Sequence, residues 1–139
     1  MLDNINPEEW GPSFWKTSHY VTFAYPENPT DEDKINVKKY FEILQYILPC
    51  ENCREHYKKN LKNYPLTDNI LSSKHNLISW LVDLHNEVNR RSHKKEMTLH
   101  EVKKIYSINK KHKRDYRPVI IALLIVLIIL LIYYMKYRQ

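Results

Sequence analysis

Only two cysteines occur in the chain, and they stand three positions apart as Cys50-Glu51-Asn52-Cys53, directly after Pro49. A proline followed by a helix start puts both thiols where unpaired amide N–H groups and the helix dipole favour thiolate, the form that attacks disulfides. Other chemistries fit the same spacing. His56 extends the pattern to CxxCxxH, and His75, His85 or His93 could complete a zinc site. Two reduced structural thiols are a third option. A thioredoxin-like site is disfavoured, because the chain before residue 110 carries no β-branched run that reads as a strand.

A second group of polar side chains lies in SWLVDLHNEVN, residues 79–89. Helical spacing puts Leu81, His85, Val88 and Asn89 on one side with Asn86 at its border, so an imidazole and two amides interrupt or edge an apolar stripe. Once buried, such groups need hydrogen-bond partners; they satisfy one another in a core or grip a flat polar ligand such as a flavin or adenine ring. Trp15 and His19, one turn apart in the first helix, repeat the combination of aromatic face and hydrogen-bonding edge. Two such faces with the dithiol between them in sequence suggest sulfur beside a bound ring.

The elements that must position these groups read as helices. The segment WGPSFWKTSHYVTFAY predicts a helix with Pro12 in its first turn, ending at Tyr25-Pro26. Thr30 and Asp33 form a capping-box-like start for a second helix, whose stripe of Val37, Tyr40, Phe41, Leu44, Ile47 and Leu48 stops at Pro49. A short helix over 51–61, a loop at NYPLTDN, a helix over 74–92 and a last one capped by Thr98 and Glu101 complete the series. The expected fold is all-α: a four-helix bundle plus a short fifth helix over residues 1–109. With 139 residues the chain has room for one core. Its single glycine, Gly11, excludes the glycine-rich phosphate cradles of common nucleotide sites.

The formal charge of +6 is concentrated at one end. Residues 110–117 carry five bases and one acid and the tail after 135 adds Lys136 and Arg138, so the remainder of the 22 basic and 16 acidic residues is balanced at 15 of each. A nucleic-acid partner is therefore not expected. The basic patches flank residues 119–135, VIIALLIVLIILLIYYM, which read as a transmembrane helix with tyrosines suited to its interfaces. The stretch 110–118 is then a basic juxtamembrane linker and 136–139 a short tail. The polar, acidic beginning MLDNINPEEW does not read as a signal peptide, and the heavier basic cluster before the span predicts a tail-anchored protein with its folded domain cytoplasmic.

At the cysteines and the two polar faces the chain resembles the Erv/ALR family of FAD-linked sulfhydryl oxidases, from about Trp10 to Tyr106. The resemblance is carried by WGPxxWxxxH from Trp10 to His19, AYP from Ala24 to Pro26, PCxxC from Pro49 to Cys53 and WLxxLHNEVN from Trp80 to Asn89. It implies FAD held in the mouth of a helical bundle without a glycine fingerprint. It makes Cys50 the thiol that meets substrate and Cys53 the one facing the flavin. Trp15, His19, His85, Asn86, Val88, Asn89, Lys94 and Tyr106 would contact FAD, with Gly11, Pro12 and His56 lining the same site. Electrons would pass from a protein dithiol or a separate thiol shuttle protein to FAD and then to O2, giving H2O2. The absence of a shuttle cysteine pair is similar to the compact forms of large cytoplasmic DNA viruses, which would suit a virion or endomembrane location, and family resemblance also implies a possible homodimer. A zinc module and a tail-anchored helical adaptor without chemistry are the alternatives, and neither needs the WLxxLHNEVN face.

Overall fold

The computed structural model of the chain describes residues 4–107 and 117–138, apart from the side chains at 117–119, 127–129, 131 and 132. Two compact units result, Met1–Ile108 and Asn109–Gln139. The first contains helices α1 (Pro7–Ala24), α2 (Asp31–Ile47), α3 (Glu51–Asn63), α4 (Asp68–Leu71), α5 (Lys74–Arg91) and α6 (Leu99–Tyr106), and the second α7 (Arg117–Tyr137). No strand occurs among the described residues, so the all-α expectation holds. The four longer helices of the first unit are α1, α2, α3 and α5.

Local chemistry sets most boundaries. Both expected capping boxes form: Thr30 and Thr98 each accept from the backbone N–H three residues on, while Asp33 and Glu101 reach back to the cap. Two boundaries differ from expectation. Helix α1 starts at Pro7, five residues before Pro12, because Asn6 accepts from Glu8 N–H and the acids Glu8 and Glu9 complement the first-turn dipole. Pro12 therefore lies inside α1, where its missing N–H leaves the Glu8 carbonyl without a helical donor. Within and after the expected loop NYPLTDN, Thr67 caps the single turn α4 by accepting from Ile70 N–H at 3.4 Å.

Helix α5 is the centre of the first unit, packing against α1, α4 and α6, while α2 pairs with α3. Phe41, Leu77, Leu81 and Leu84 are fully buried, and Phe41 meets Trp80 edge to face at 4.9 Å. The polar tips of the core aromatics are satisfied by loop and helix carbonyls. Tyr25 donates to Leu71 O at 2.9 Å, Tyr57 to Phe41 O at 3.1 Å and Trp80 to Tyr64 O at 2.9 Å, so burial leaves none of these three groups without a partner.

In the second unit, α7 carries exposed apolar side chains, among them Ile120, Leu123 and Leu130. Among the described residues no helix is long and apolar enough to cross a membrane, so the spanning segment expected over 119–135 receives no support here. Several of its side chains, and most of the basic linker expected over 110–118, lie outside the described residues.

Replacing Phe41 by Ala removes the ring that Trp80 packs against. It is expected to cost about 3–5 kcal/mol, measured as a drop in urea midpoint at constant m-value.

Candidate functional site

A cleft of about 570 Å³ opens between α1, α3, α5 and α6, within the range of small-molecule sites. Gly11, Pro12 and Trp15 line it from α1, Cys53 and His56 from α3, His85, Val88 and Asn89 from α5, Lys94 from the turn after α5, and Tyr106 from α6. Three expected residues are placed otherwise. Cys50 is half-buried and outside the lining. His19 is fully buried behind His85. The Asn86 side chain is engaged by the backbone of Met97, donating to its carbonyl and accepting from its N–H, each at 2.8 Å. Asn86 thus pins the loop between α5 and α6 and contributes no lining surface.

The aromatic wall is ordered by stacking. Trp15 lies flat on His85, centroids 3.9 Å apart and planes 6° off parallel, while Trp10 and Phe14 extend the surface through edge contacts. Behind this wall His19 Nε2 and His85 Nδ1 are 3.1 Å apart, and His19 stacks on Tyr106 at 4.5 Å. Burial pushes His19 down to about 4. Burial, then His19 and Lys94, push His85 down to about 3. Both imidazoles are neutral near pH 7, so one of the two facing nitrogens carries the proton and donates it to the other.

The turn carrying Lys94 is built with strain. His93 closes α5 at φ 53°, with its N–H on Arg90 O and the Lys94 N–H on Asn89 O at 2.8 Å. This is the left-handed helix-ending turn usually made by glycine. Arg90, paired with Glu87 and with Glu96, holds the other side of the loop.

At the mouth of the disulfide, Cys50 is the N-cap of α3, and its sulfur accepts from Cys53 N–H at 3.2 Å. The two cysteines form a disulfide with Cα atoms 5.1 Å apart. Cys53, not Cys50, belongs to the cleft wall. Among the described residues no three His, Cys, Asp or Glu side chains gather to hold a metal ion, so the zinc alternative through His56 has no completed ligand set.

The cleft suits a planar heterocycle that bears anionic groups. Its walls are aromatic, and Lys94 and Arg91 supply positive charge. Asn89 is only 8% exposed, and its amide makes no hydrogen bond to any described residue. A Cβ built on Gly11 meets nothing within 4 Å, so α1 presents bare backbone there. Trp10, Phe14, Tyr57 and Arg91 also line the cleft without having been expected to. Helical period could have found the first three, since Trp10 and Phe14 share a face with Gly11 and Trp15, and Tyr57 follows Cys53 by four. Arg91 sits in a doublet of bases that reads as solvated charge.

Known proteins are similar to this chain over most of its first unit. The Erv1/Alr family model matches residues 12–107. The probable FAD-linked sulfhydryl oxidase of Acanthamoeba polyphaga mimivirus is 46% identical over 97 residues, covering 70% of this chain and 68% of that protein. The FAD-linked sulfhydryl oxidase of African swine fever virus (isolate Tick/Malawi/Lil 20-1/1983) is 35% identical over 99 residues, covering 70% and 79%. Among solved structures, the FAD-binding domain of Erv1 from Saccharomyces cerevisiae superimposes with a TM-score of 0.68 at 27% identity, covering 74% of this chain and 95% of that one.

The two depressed histidines set an acid limit. Unfolded, they titrate near 6.5; folded, they resist protonation until about pH 4 and 3, so between those values the unfolded chain binds more protons. Stability is expected to be independent of this pair above about pH 7.5 and to fall below 6.5, by up to about 1.4 kcal/mol per pH unit per histidine. Urea titrations at pH 7.5, 5.5 and 4.5 measure the slope, and His19→Gln should flatten it.

Proposed function

The chain belongs to the Erv1/Alr family, and on that footing we propose that it is an FAD-dependent sulfhydryl oxidase that forms disulfide bonds in protein substrates. The observation that carries this reading is the division of the two sulfurs: Cys53 lines the aromatic cleft and Cys50 does not. A pair so placed can exchange with an outside thiol at one end and face a bound ring at the other.

FAD fits the cleft on the grounds of its volume, its stacked Trp15–His85 wall and the Asn89 amide on its lining, which makes no hydrogen bond to any described residue. Trp15, His85, Val88, Asn89 and Tyr106 would hold its rings, and Lys94 and Arg91 its anionic groups. Gly11, Pro12 and His56 would border it, and His19 and Asn86 would act through His85 and the Met97 loop. When bound, FAD supplies a two-electron acceptor for a dithiol and passes the pair to O2, which becomes H2O2.

The chain's own steps follow from sulfur chemistry. A substrate thiolate attacks Cys50 Sγ, the S–S bond breaks, and the electron pair leaves on Cys53 Sγ. The dipole at the head of α3 favours the resulting negative sulfur. The second substrate thiolate then attacks the substrate sulfur of the mixed disulfide and displaces Cys50. The substrate leaves as a disulfide, and Cys50 and Cys53 hold the two electrons and two protons it lost. The neutral His19–His85 pair keeps charge out of the stacked wall, and Trp15 and Phe14 give the cleft that Cys53 lines an apolar side.

The reading extends to the partners. Residues 119–135 anchor the protein in a membrane with the folded unit cytoplasmic, supported by the seventeen-residue apolar run and the basic cluster before it. The exposed Ile35, Ile43 and Ile47 along α2 support a homodimer. The electron donor is a protein dithiol or a thiol shuttle protein.

Cys53→Ser and Cys50→Ser are each expected to lower oxygen consumption with dithiothreitol by at least a hundredfold while the purified protein stays yellow. Wild-type turnover in both variants would refute the assignment. For the anchor, alkaline carbonate should leave the full chain in the membrane pellet and release a chain ending at residue 109; release of both would remove the anchor from the proposal.

A further inference from the structure

The loop that carries Cys50 is tied from outside by a segment to which the proposed chemistry gives no task. Ile5 N–H donates to Pro49 O at 2.8 Å, and Glu51 N–H donates to Asn4 Oδ1 at 2.7 Å. The residues immediately before and after Cys50 are thus each bonded to one of two consecutive residues more than 40 positions away in sequence. Trp10 Nε1–H donates to Ile5 O at 3.3 Å and ties this segment to α1. On the inner side, Leu48 O accepts from Cys50 N–H at 2.8 Å and from the Arg54 guanidinium at 2.6 Å. Asn4 and Ile5 are exposed, so these bonds are not a by-product of burying the segment in the core.

Neither bond from Asn4 or Ile5 involves a sulfur. Cleaving the S–S bond therefore leaves the clamp intact, whereas the cap made by Cys50 Sγ on Cys53 N–H depends on where that sulfur goes. The difference between a clamped and an unclamped loop lies in the reduced state, where freedom gained by Cys50 has to be given up again each time the disulfide closes.

We propose that Asn4 and Ile5 are positioning residues for the redox pair, holding Cys50 at the head of α3 after reduction so that the two sulfurs remain within bonding reach. The clamp raises the effective concentration of one thiol at the other, and so favours the disulfide at equilibrium. The idea rests on the sulfhydryl oxidase reading for its use in turnover, but the equilibrium it sets belongs to the chain alone.

The test equilibrates the full chain, stripped of flavin, in glutathione buffers at pH 7 and traps free thiols by alkylation. In that exchange the two protein thiols close on each other and one oxidised glutathione becomes two reduced glutathione molecules. Asn4→Ala and Ile5→Pro, the latter lacking the donor N–H, should each shift the equilibrium toward the dithiol, by up to about fivefold, since the clamp is present in both redox states and the worth of one neutral hydrogen bond is the ceiling. Asn4→Asp keeps an acceptor for Glu51 N–H and adds a charge that disfavours thiolate, so it should restore the wild-type ratio or exceed it. Wild-type ratios in Asn4→Ala and Ile5→Pro, with helical circular dichroism unchanged, would overturn the proposal; should Ile5→Pro unfold, Asn4→Ala decides alone. Failure of the wild-type chain to consume oxygen with flavin and dithiothreitol would instead strike the oxidase reading and leave this equilibrium standing.

Discussion

One half-buried hydrogen bond between two neutral rings organises the site. His19 and His85 come from helices 66 positions apart in sequence and meet nitrogen to nitrogen with no room for water on the His19 side. Because each ring can be donor or acceptor, one N–H between the two neutral rings fills the contact, and burial disfavours protonating either ring further. With α1 and α5 joined there, Trp15 has a flat imidazole to lie on and Tyr106 a second ring to cover. The buried His19 Nδ1 has no partner among the described residues. That is a desolvation cost accepted at the site, of the kind that recurs where a binding surface takes precedence over local satisfaction.

Much of this arrangement is legible from the amino acids, and the legible part is local. Thr30 with Asp33 and Thr98 with Glu101 announce helix starts through a spacing that has few other uses. The apolar stripe from Leu77 to Val88 fixes which side of α5 faces inward, which places His85 and Asn89 at a wall before any fold is known. Where two local signals compete, the outcome is harder to read. Both Pro7 and Pro12 can open a helix, and the choice goes to Pro7 because Asn6, Glu8 and Glu9 supply a cap and first-turn charges.

What the sequence hides depends on distant backbone. Asn86 borders the same stripe as His85, yet its amide belongs to Met97, eleven residues away across a turn whose path periodicity does not give. His19 has the residue type and register of a ring-gripping group, yet it is fully buried behind His85. Arg91 reads as surface charge until α3 and α5 are placed together, when it meets Asn60 at 3.3 Å and the cleft beyond. Asn4 reaching Glu51 is the extreme case, since no pattern links an exposed amide near the beginning of the chain to a helix start far along it.

The closing turn of α5 joins the lining of the cleft to the fold at one carbon atom. His93 holds a backbone conformation that disfavours any side chain with a Cβ, at a cost of about 1–2 kcal/mol. Glycine would relieve that cost, but it would also let the unfolded segment, and any locally opened form, sample many more shapes. The imidazole therefore trades a little native comfort for a narrower set of alternatives, keeping the neighbouring ammonium where a counter-charge can find it. Native strain and the breadth of the unfolded ensemble therefore weigh on this one residue with opposite signs.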